Sequence, residues 1–554
     1  MTSTSTVAIV GAGPAGLVSA RWALQYGLRP TLFERANAVG GLWRLRDEQL
    51  TSMNKHFINW PSNETSISSI SCEFHGLTHE KNTGLFATRE QMGAYLQRYA
   101  EKFGILPHVR FERRILSIEP LDEDLTETRW KIRFTSSSND EECCEEFDRL
   151  VLAAGFSAKP YIPECFRSLL NDKNCPFKGR VYHTPTDAPT KPSAYADKNV
   201  TLVGNSYSSL DVLTMIAGND DDAINARKVT ILRLRPFWTV PSSVTLRSQT
   251  NNPTSNCVEQ SFPFDFLFLR RCLRQQQEEL LVPTEDCHER SHHFLESLLP
   301  NHHSMAGGKF ALIPEVHYKQ TVCFSLVGKE FTEHVERIGE QLDVFENDPV
   351  ATLEERSLRL ASGATVPCDV LVFGTGFESA LQELLPRRVL DSLEFRSEKC
   401  LHRVILHKST LHPLLHTIAF VGMNENLIFM HMELQARWTA AVFSRRRPPP
   451  NPLDPNVQRY MSDLRFARDM PNCIRPYLPH ADYVGFADEL AREVSAMPDL
   501  SRIRNEEPEL FALLWNAPVF GSHYFLEGPD ADRDASVASI KSFPGEFSSF
   551  PFDN

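Results

Sequence analysis

Val7-Ala-Ile-Val10 followed by Gly11-Ala12-Gly13-Pro14-Ala15-Gly16 constrains this chain more than any other stretch. A short apolar strand that ends in glycines and opens a helix has few uses. Gly11 permits a tight turn, Gly13 lets a ligand approach the backbone, and Gly16 lets helix and strand pack closely. The helix is predicted over Leu17–Tyr26, with Leu17, Ala20, Ala23 and Leu24 on one stripe and Gly27 ending it. Thr31-Leu-Phe33 is the next strand and Glu34 stands at its end. The N–H groups and positive end of such a helix attract a pyrophosphate, and an acid at the strand end accepts hydrogen bonds from ribose hydroxyls. Glu34 also repels a 2′-phosphate.

The same grammar returns at Asn199-Val-Thr-Leu-Val203, Gly204-Asn205-Ser206-Tyr-Ser208-Ser209, a helix over Leu210–Ala217 and a strand over Val229–Leu232. Two serines replace glycines. The strand end carries Arg233 and Arg235 in place of an acid, which suits a 2′-phosphate through charge-assisted bonds. A further echo pairs Asp148-Arg-Leu-Val-Leu-Ala-Ala-Gly155-Phe156 with Asp369-Val-Leu-Val-Phe-Gly-Thr-Gly376-Phe377. Both are continuously apolar, as buried parallel strands are. The expected fold class is α/β: two nested Rossmann-like dinucleotide-binding domains, the first interrupted by the second, with a helical C-terminal extension. The expected divisions are 1–175 and 336–445 for the first domain, 176–335 for the second, 446–530 for the helical extension and 531–554 for a loose tail.

The 554 residues carry a formal net charge of −13, which argues against a nucleic-acid or anionic-membrane partner. No apolar run long enough to span a bilayer occurs, and the N-terminus lacks the basic and apolar regions of a signal peptide. Twelve cysteines are scattered without a C-x-x-C, which points to free thiols in a reducing, cytoplasmic setting. The sequons at Asn63 and Asn199 are then chance matches. Cys287-His288…His292-His293 and His302-His303 match no common zinc spacing, so no metal is expected. Arg445-Arg-Arg447 beside prolines reads as solvated surface.

These residues resemble the flavin-containing monooxygenases and their Baeyer–Villiger relatives. The likeness rests on Gly11–Gly16, Glu34, Gly40-Gly-Leu42-Trp43, the linker Phe177…Gly179…His183, the second turn, Thr375-Gly-Phe377, Glu433-Leu-Gln-Ala-Arg-Trp438 and Asp482-Tyr483…Asp488-Glu-Leu-Ala491. The resemblance implies FAD on the first domain, flanked by Leu42 and Trp43, and NADPH on the second. It implies an enzyme that inserts one oxygen from O2 into a small molecule by N-, S- or C-oxygenation through a C4a-(hydro)peroxyflavin. The alternatives are Baeyer–Villiger oxygenation of a ketone, or an NADPH oxidase or dehydrogenase using the same cofactors. Three departures matter. Ser209 stands where a glycine is common, which bears on NADPH affinity. Asp187 ends the linker where the family carries an aromatic residue. Thr51-Ser52-Met-Asn54 allows either Ser52 or Asn54 at the family's flavin-facing asparagine, so both are catalytic candidates.

Overall fold

The computed structural model describes residues 4–44, 64–136, 141–155, 159–184, 186–189, 191–217, 226–234, 237–247, 259–274, 323–328, 331–399, 402–423, 428–469 and 482–543, with residues 293, 296, 297 and 310. Two sheets organise it. The chain enters the first through β1 (Thr6–Val10), β2 (Arg29–Phe33), β3 (Val109–Arg110) and β4 (Arg149–Leu152). It then builds all of the second: β5 (Arg180–His183), β6 (Asn199–Val203), β7 (Lys228–Arg233), β8 (Leu342–Glu346) and β9 (Val370–Phe373). β10 (Leu411–His412) and β11 (Leu415–Phe420) return to the first. The first sheet runs β10-β11-β4-β1-β2-β3 and the second β8-β7-β6-β9-β5. Every pairing is parallel except β10 with β11.

Nesting is therefore real, but its second boundary moves. The expectation that the first domain resumes at 336 fails for β8 and β9, which hydrogen-bond to β7 and β6. The second Gly-Phe strand belongs to the second sheet just as the first belongs to the first. Val10 pairs with Leu152 and Val203 with Phe373, so each turn-bearing strand lies beside its own Gly-Phe strand. The return to the first sheet comes only with β10 and β11.

The two aspartates of the internal echo do the same job twice. Asp148 Oδ2 accepts from Thr6 N (2.8 Å) and Thr6 Oγ1 (2.9 Å) at the start of β1. Asp369 Oδ2 accepts from Asn199 N and Asn199 Nδ2, both at 3.0 Å, at the start of β6. Asn199 is thus an internal hydrogen-bonding residue, in keeping with its sequon being a chance match. Asp369→Ala removes the acceptor for both donors. It is expected to cost about 1–3 kcal/mol, read as a lower urea midpoint at unchanged slope.

Helices α1 (Pro14–Gln25) and α2 (Tyr207–Ala217) follow the two turns. α3 (Phe429–Phe443) runs through the interior with all fifteen residues buried, and α4 (Tyr483–Glu493) packs on it. The segment expected to be a loose tail instead contains α5 (Arg533–Lys541), with Ile540 buried and Phe543 stacked on Phe520. Its Ser- and Asp-rich sequence hides a short apolar face, which is why composition alone misleads there. Residues 237–247 and 259–269 join the first body's core through Trp238, Val240, Val244, Phe262, Phe264 and Phe266. Among the described residues no helix is long and apolar enough to cross a membrane. The seven cysteines whose state is described are all free thiols.

Candidate dinucleotide sites

At the first turn, two of the three glycines are explained by the chain itself. Gly11 has φ +99°, and an added Cβ would lie 2.7 Å from the Ala153 carbonyl oxygen at the end of β4. A Cβ on Gly16 would lie 1.9 Å from the Gly11 carbonyl oxygen, so α1 and β1 pack with no room for a side chain. Gly13 is different. Its φ of −77° suits any residue, and a Cβ there would meet only Gly41 Cα at 3.5 Å, an ordinary contact. Among the described residues nothing requires a glycine at 13. It caps α1 without a side-chain hydrogen bond, and Pro14 opens the helix, leaving the next backbone N–H groups ahead of the helical ladder. A bare helix N-terminus behind a missing side chain fits a pyrophosphate.

Glu34 is buried at the mouth of this turn. Its Oε2 accepts from Ala12 N (2.9 Å) and its Oε1 from Ala36 N (2.8 Å), so the carboxylate is oriented before any ligand arrives. Gly40 N donates to Ala12 O (2.9 Å), which staples Gly40–Trp43 to the turn, and Arg89 Nη1 donates to Leu42 O (2.9 Å). Leu42 is exposed and Trp43 is half-buried against the first body's core.

The second turn superposes on this logic bond for bond. Gly11 N donates to Phe33 O and Gly204 N to Leu232 O, both at 2.9 Å. Gly204 has φ +96°, and its Cβ would lie 2.7 Å from Gly374 O, where Gly11 meets Ala153 O. The equivalence explains the two serines. Ser206 Oγ donates to Gly374 O (2.8 Å) and lies 3.3 Å from Ser208 Oγ. Ser209 is buried, and its Oγ lies 1.7 Å from where a Gly374 Cβ would be. The missing third glycine has moved across to β9's end: Gly374 stands where the first body has Ala153, and it makes the space that Ser209 fills. Asn205 is buried in the same turn, its Nδ2 at 3.5 Å from Thr239 Oγ1.

Because Phe33 and Leu232 are equivalent, Glu34 and Arg233 occupy equivalent strand ends. Arg233 is only 2 % exposed. Its Nη1 bonds Glu346 Oε1 (2.8 Å), and its guanidinium lies 4.1 Å from the Phe310 ring centroid. Arg235, Ser52, Asn54 and the paired histidines at 288, 292–293 and 302–303 lie outside what the described residues reveal about side-chain partners, apart from His293, whose Nδ1 lies 3.2 Å from Glu296 Oε2.

At the linker between the bodies, Asp187 Oδ1 accepts from His183 N (2.6 Å) and Thr186 Oγ1 donates to His183 O (2.8 Å). The buried His183 ring lies edge-on to Phe377, 5.3 Å between centroids. Asp187, read in the sequence only as a departure, thus closes the turn that places His183 against the second Gly-Phe strand. Burial lowers the His183 pKa, so the ring packs neutral.

The motif Glu433–Trp438 lies on α3 and holds the first site's rear wall. Arg21, the one cation on the buried face of α1, donates from Nη1 to Glu433 Oε1 (3.0 Å) and His75 O (2.6 Å), while His75 N donates to Glu433 Oε2 (2.8 Å). Gln435 joins Gly422 N to Ser409 O. Arg437, fully buried, bonds Asp530 Oδ2 through Nε (2.8 Å) and Tyr524 O through Nη1 (3.2 Å). Arg446 lies over the Tyr26 ring at 4.2 Å, so one of the three arginines taken as solvated surface packs. The motif around Asp488 meets partners that sequence reasoning missed. Arg271 Nη2 bonds Asp488 Oδ1 (2.8 Å), and Arg274 Nη2 bonds Asp482 Oδ2 (2.7 Å). Both arginines sit in the irregular 240–320 stretch, where no periodicity flags them. Arg21 could have been found, as a charge within an apolar helical stripe.

Three buried histidines have pKa values pulled down to about 4: His75, His412 and His431. Desolvation is the main cause in each, aided at His75 by Arg21. Unfolding frees them to titrate at about 6.5. Their contribution is intact above pH 6.5 and is lost as pH falls towards 4. The expected slope is up to about 4 kcal/mol per pH unit for three protons, checked by denaturation midpoints between pH 7 and 4.5.

Sequence comparison then matches residues 4–543 to the family described as flavin-binding monooxygenase-like. Human flavin-containing monooxygenase 1 is 24% identical over 553 residues, covering 98% of this chain and 92% of that protein. The guinea pig (Cavia porcellus) dimethylaniline monooxygenase [N-oxide-forming] 2 is 24% identical, covering 94% and 89%. Among solved structures, S-allyl-L-cysteine S-oxygenase from Allium sativum shares the fold at TM-score 0.55 and 18% identity, covering 97% of this chain and 98% of that one. The OTEMO complex with FAD and NADP (form 4) does so at TM-score 0.59 and 15% identity, covering 89% and 98%. With a family match running through both turns, the linker and the C-terminal helices, the chain belongs to the flavin-binding monooxygenase-like family.

Proposed function

We propose that this protein binds FAD at Gly11–Gly16 and NADPH at Gly204–Ser209, and inserts one oxygen atom from O2 into a small molecule at nitrogen, sulfur or carbon. The observation that carries this reading is the pair of equivalent turns whose strand ends bear opposite charge, Glu34 and Arg233, within one monooxygenase-family chain. FAD, when bound, supplies the redox and oxygen chemistry.

The protein's own residues bind, orient and shield. The amides after Gly13 take the pyrophosphate, and Glu34 takes ribose hydroxyls. Leu42 and Trp43 flank the ring system, and Ser52 or Asn54 stands beside it. Gly204, Asn205, Ser206, Ser208 and Ser209 frame the second dinucleotide, with Arg233 and Arg235 at its 2′-phosphate. The free thiols suit a reducing, cytoplasmic setting.

The test is spectroscopic. Purified protein is expected to be yellow, to bleach with NADPH without oxygen, and on return of O2 to give a product of a sulfide or amine heavier by one oxygen. A colourless protein that takes up no FAD defeats the reading. Peroxide in place of oxygenated product assigns the oxidase alternative, and lactone or ester from a ketone assigns the Baeyer–Villiger one.

A further inference from the structure

The first body carries an acid at the strand end beside its turn and a cation, Arg110, on the adjacent strand, where Phe33 pairs with Arg110. The second body reverses the charge at the strand end, and on the neighbouring strand the position matching Arg110 is Phe345, with Glu346 one residue further on. Arg233 ends β7, and its pairing partner on β8 is Glu346. The consequences differ, because Arg110 pairs with Glu145 and not with Glu34, whereas Arg233 and Glu346 bond each other directly at 2.8 Å. Asn347 N donates to Arg233 O (2.9 Å), so Glu346 is held at the register where its carboxylate meets the guanidinium.

We propose that Glu346 sets the cofactor selectivity of the second site by occupying, with its own carboxylate, the guanidinium that recognises a 2′-phosphate. This inference rests on the NADPH reading of the Gly204–Ser209 turn. The asymmetry of burial supports it. The Arg233 side chain is 2% exposed and stacked on Phe310, so it is fixed in place, while the Glu346 side chain is 46% exposed and free to swing outward. An anion arriving at this strand end meets a guanidinium already partnered and a carboxylate that repels it. The 2′-phosphate therefore displaces Glu346 from Nη1 before it gains its charge-assisted bond. A 2′-hydroxyl, as in NADH, carries no charge, is not repelled by the carboxylate and is a hydrogen-bond donor to it. Glu346 thus weakens the phosphorylated cofactor and not the other, which narrows the preference that Arg233 alone would give.

The experiment is equilibrium titration of the flavin-loaded protein by calorimetry with adenosine 2′,5′-bisphosphate and with adenosine 5′-monophosphate, in wild type, Glu346→Gln and Arg233→Ala. Glutamine keeps the shape and removes the charge. Glu346→Gln is expected to tighten the bisphosphate about tenfold and to change the monophosphate less than twofold, and Arg233→Ala to weaken the bisphosphate about tenfold or more. Unchanged or weaker bisphosphate binding in Glu346→Gln, with Arg233→Ala still selective, overturns the role of Glu346 and leaves the NADPH reading standing. Equal loss of both ligands in Arg233→Ala, or a wild type that binds neither, overturns the NADPH reading and the inference with it. Unfolding midpoints of the two variants show whether either change acts through the fold: a Glu346→Gln gain in affinity at an unchanged midpoint supports the proposal.

Discussion

Gly13→Ala is expected to fold like wild type and to bind no FAD, while Gly16→Ala fails to reach a stable fold. The two substitutions add the same methyl group three residues apart. At Gly16 the new carbon would lie 1.9 Å from a backbone oxygen of Gly11, which cannot move without disrupting the turn and the β1–β2 register. Overpacking against backbone at such a distance is expected to cost more than about 3 kcal/mol. At Gly13 the methyl would make one ordinary contact, at a φ that alanine readily adopts. It would instead fill the space in front of the helix N-terminus. Circular dichroism melting separates the two outcomes, and the ratio of flavin to protein absorbance reads the cofactor. Gly13→Ala with full flavin content would show that the cradle has another purpose.

Arg437→Ala is the second large effect. The guanidinium is fully buried, bonded to Asp530 and Tyr524 O, and flanked by Trp22 and Phe525 at 5.2 and 5.1 Å from the ring centroids. Removing it takes the cation from a carboxylate that is itself largely buried and keeps only neutral donors, Tyr26 Oη and Gln25 Nε2. Breaking one side of such a pair costs about 3–5 kcal/mol. The loss falls where the C-terminal segment meets α1 and α3, so limited proteolysis is expected to release residues beyond about 516 while the rest persists. The double variant Arg437→Ala/Asp530→Ala is expected to lose less than the sum of the two single losses, since no charge is left unpaired. Additive losses would mean that the two side chains act independently.

Much of this architecture is legible in the sequence because it is local. A strand, a glycine turn and a helix announce themselves within some twenty residues, and the two aspartates ahead of the Gly-Phe strands hold matching positions for matching reasons. What was not legible is non-local. Nothing in Asp369-Val-Leu-Val-Phe373 says which sheet it joins, and that strand and β8 carried the misplaced boundary. Arg271 and Arg274 acquire meaning only from Asp488 and Asp482, some two hundred residues away. Ser209 looked like a weakened motif because Gly374, its compensation, stands at the end of a different strand.

The interleaving of the two sheets also imposes an order on biosynthesis. By the time residue 373 has left the ribosome, every strand of the second sheet exists. The first sheet is then still missing β10 and β11, the latter the neighbour of β4, and the buried helix α3 that backs α1. The inner body can close on its own contacts, while the outer one keeps the apolar faces of β4 and α1 uncovered for at least another seventy residues of synthesis, several seconds at ordinary elongation rates of about 5–20 residues per second. The contact of Arg21 with Glu433 is made by that same helix and waits through most of this interval. The first glycine turn is among the earliest segments made, and the wall behind it comes about four hundred residues later.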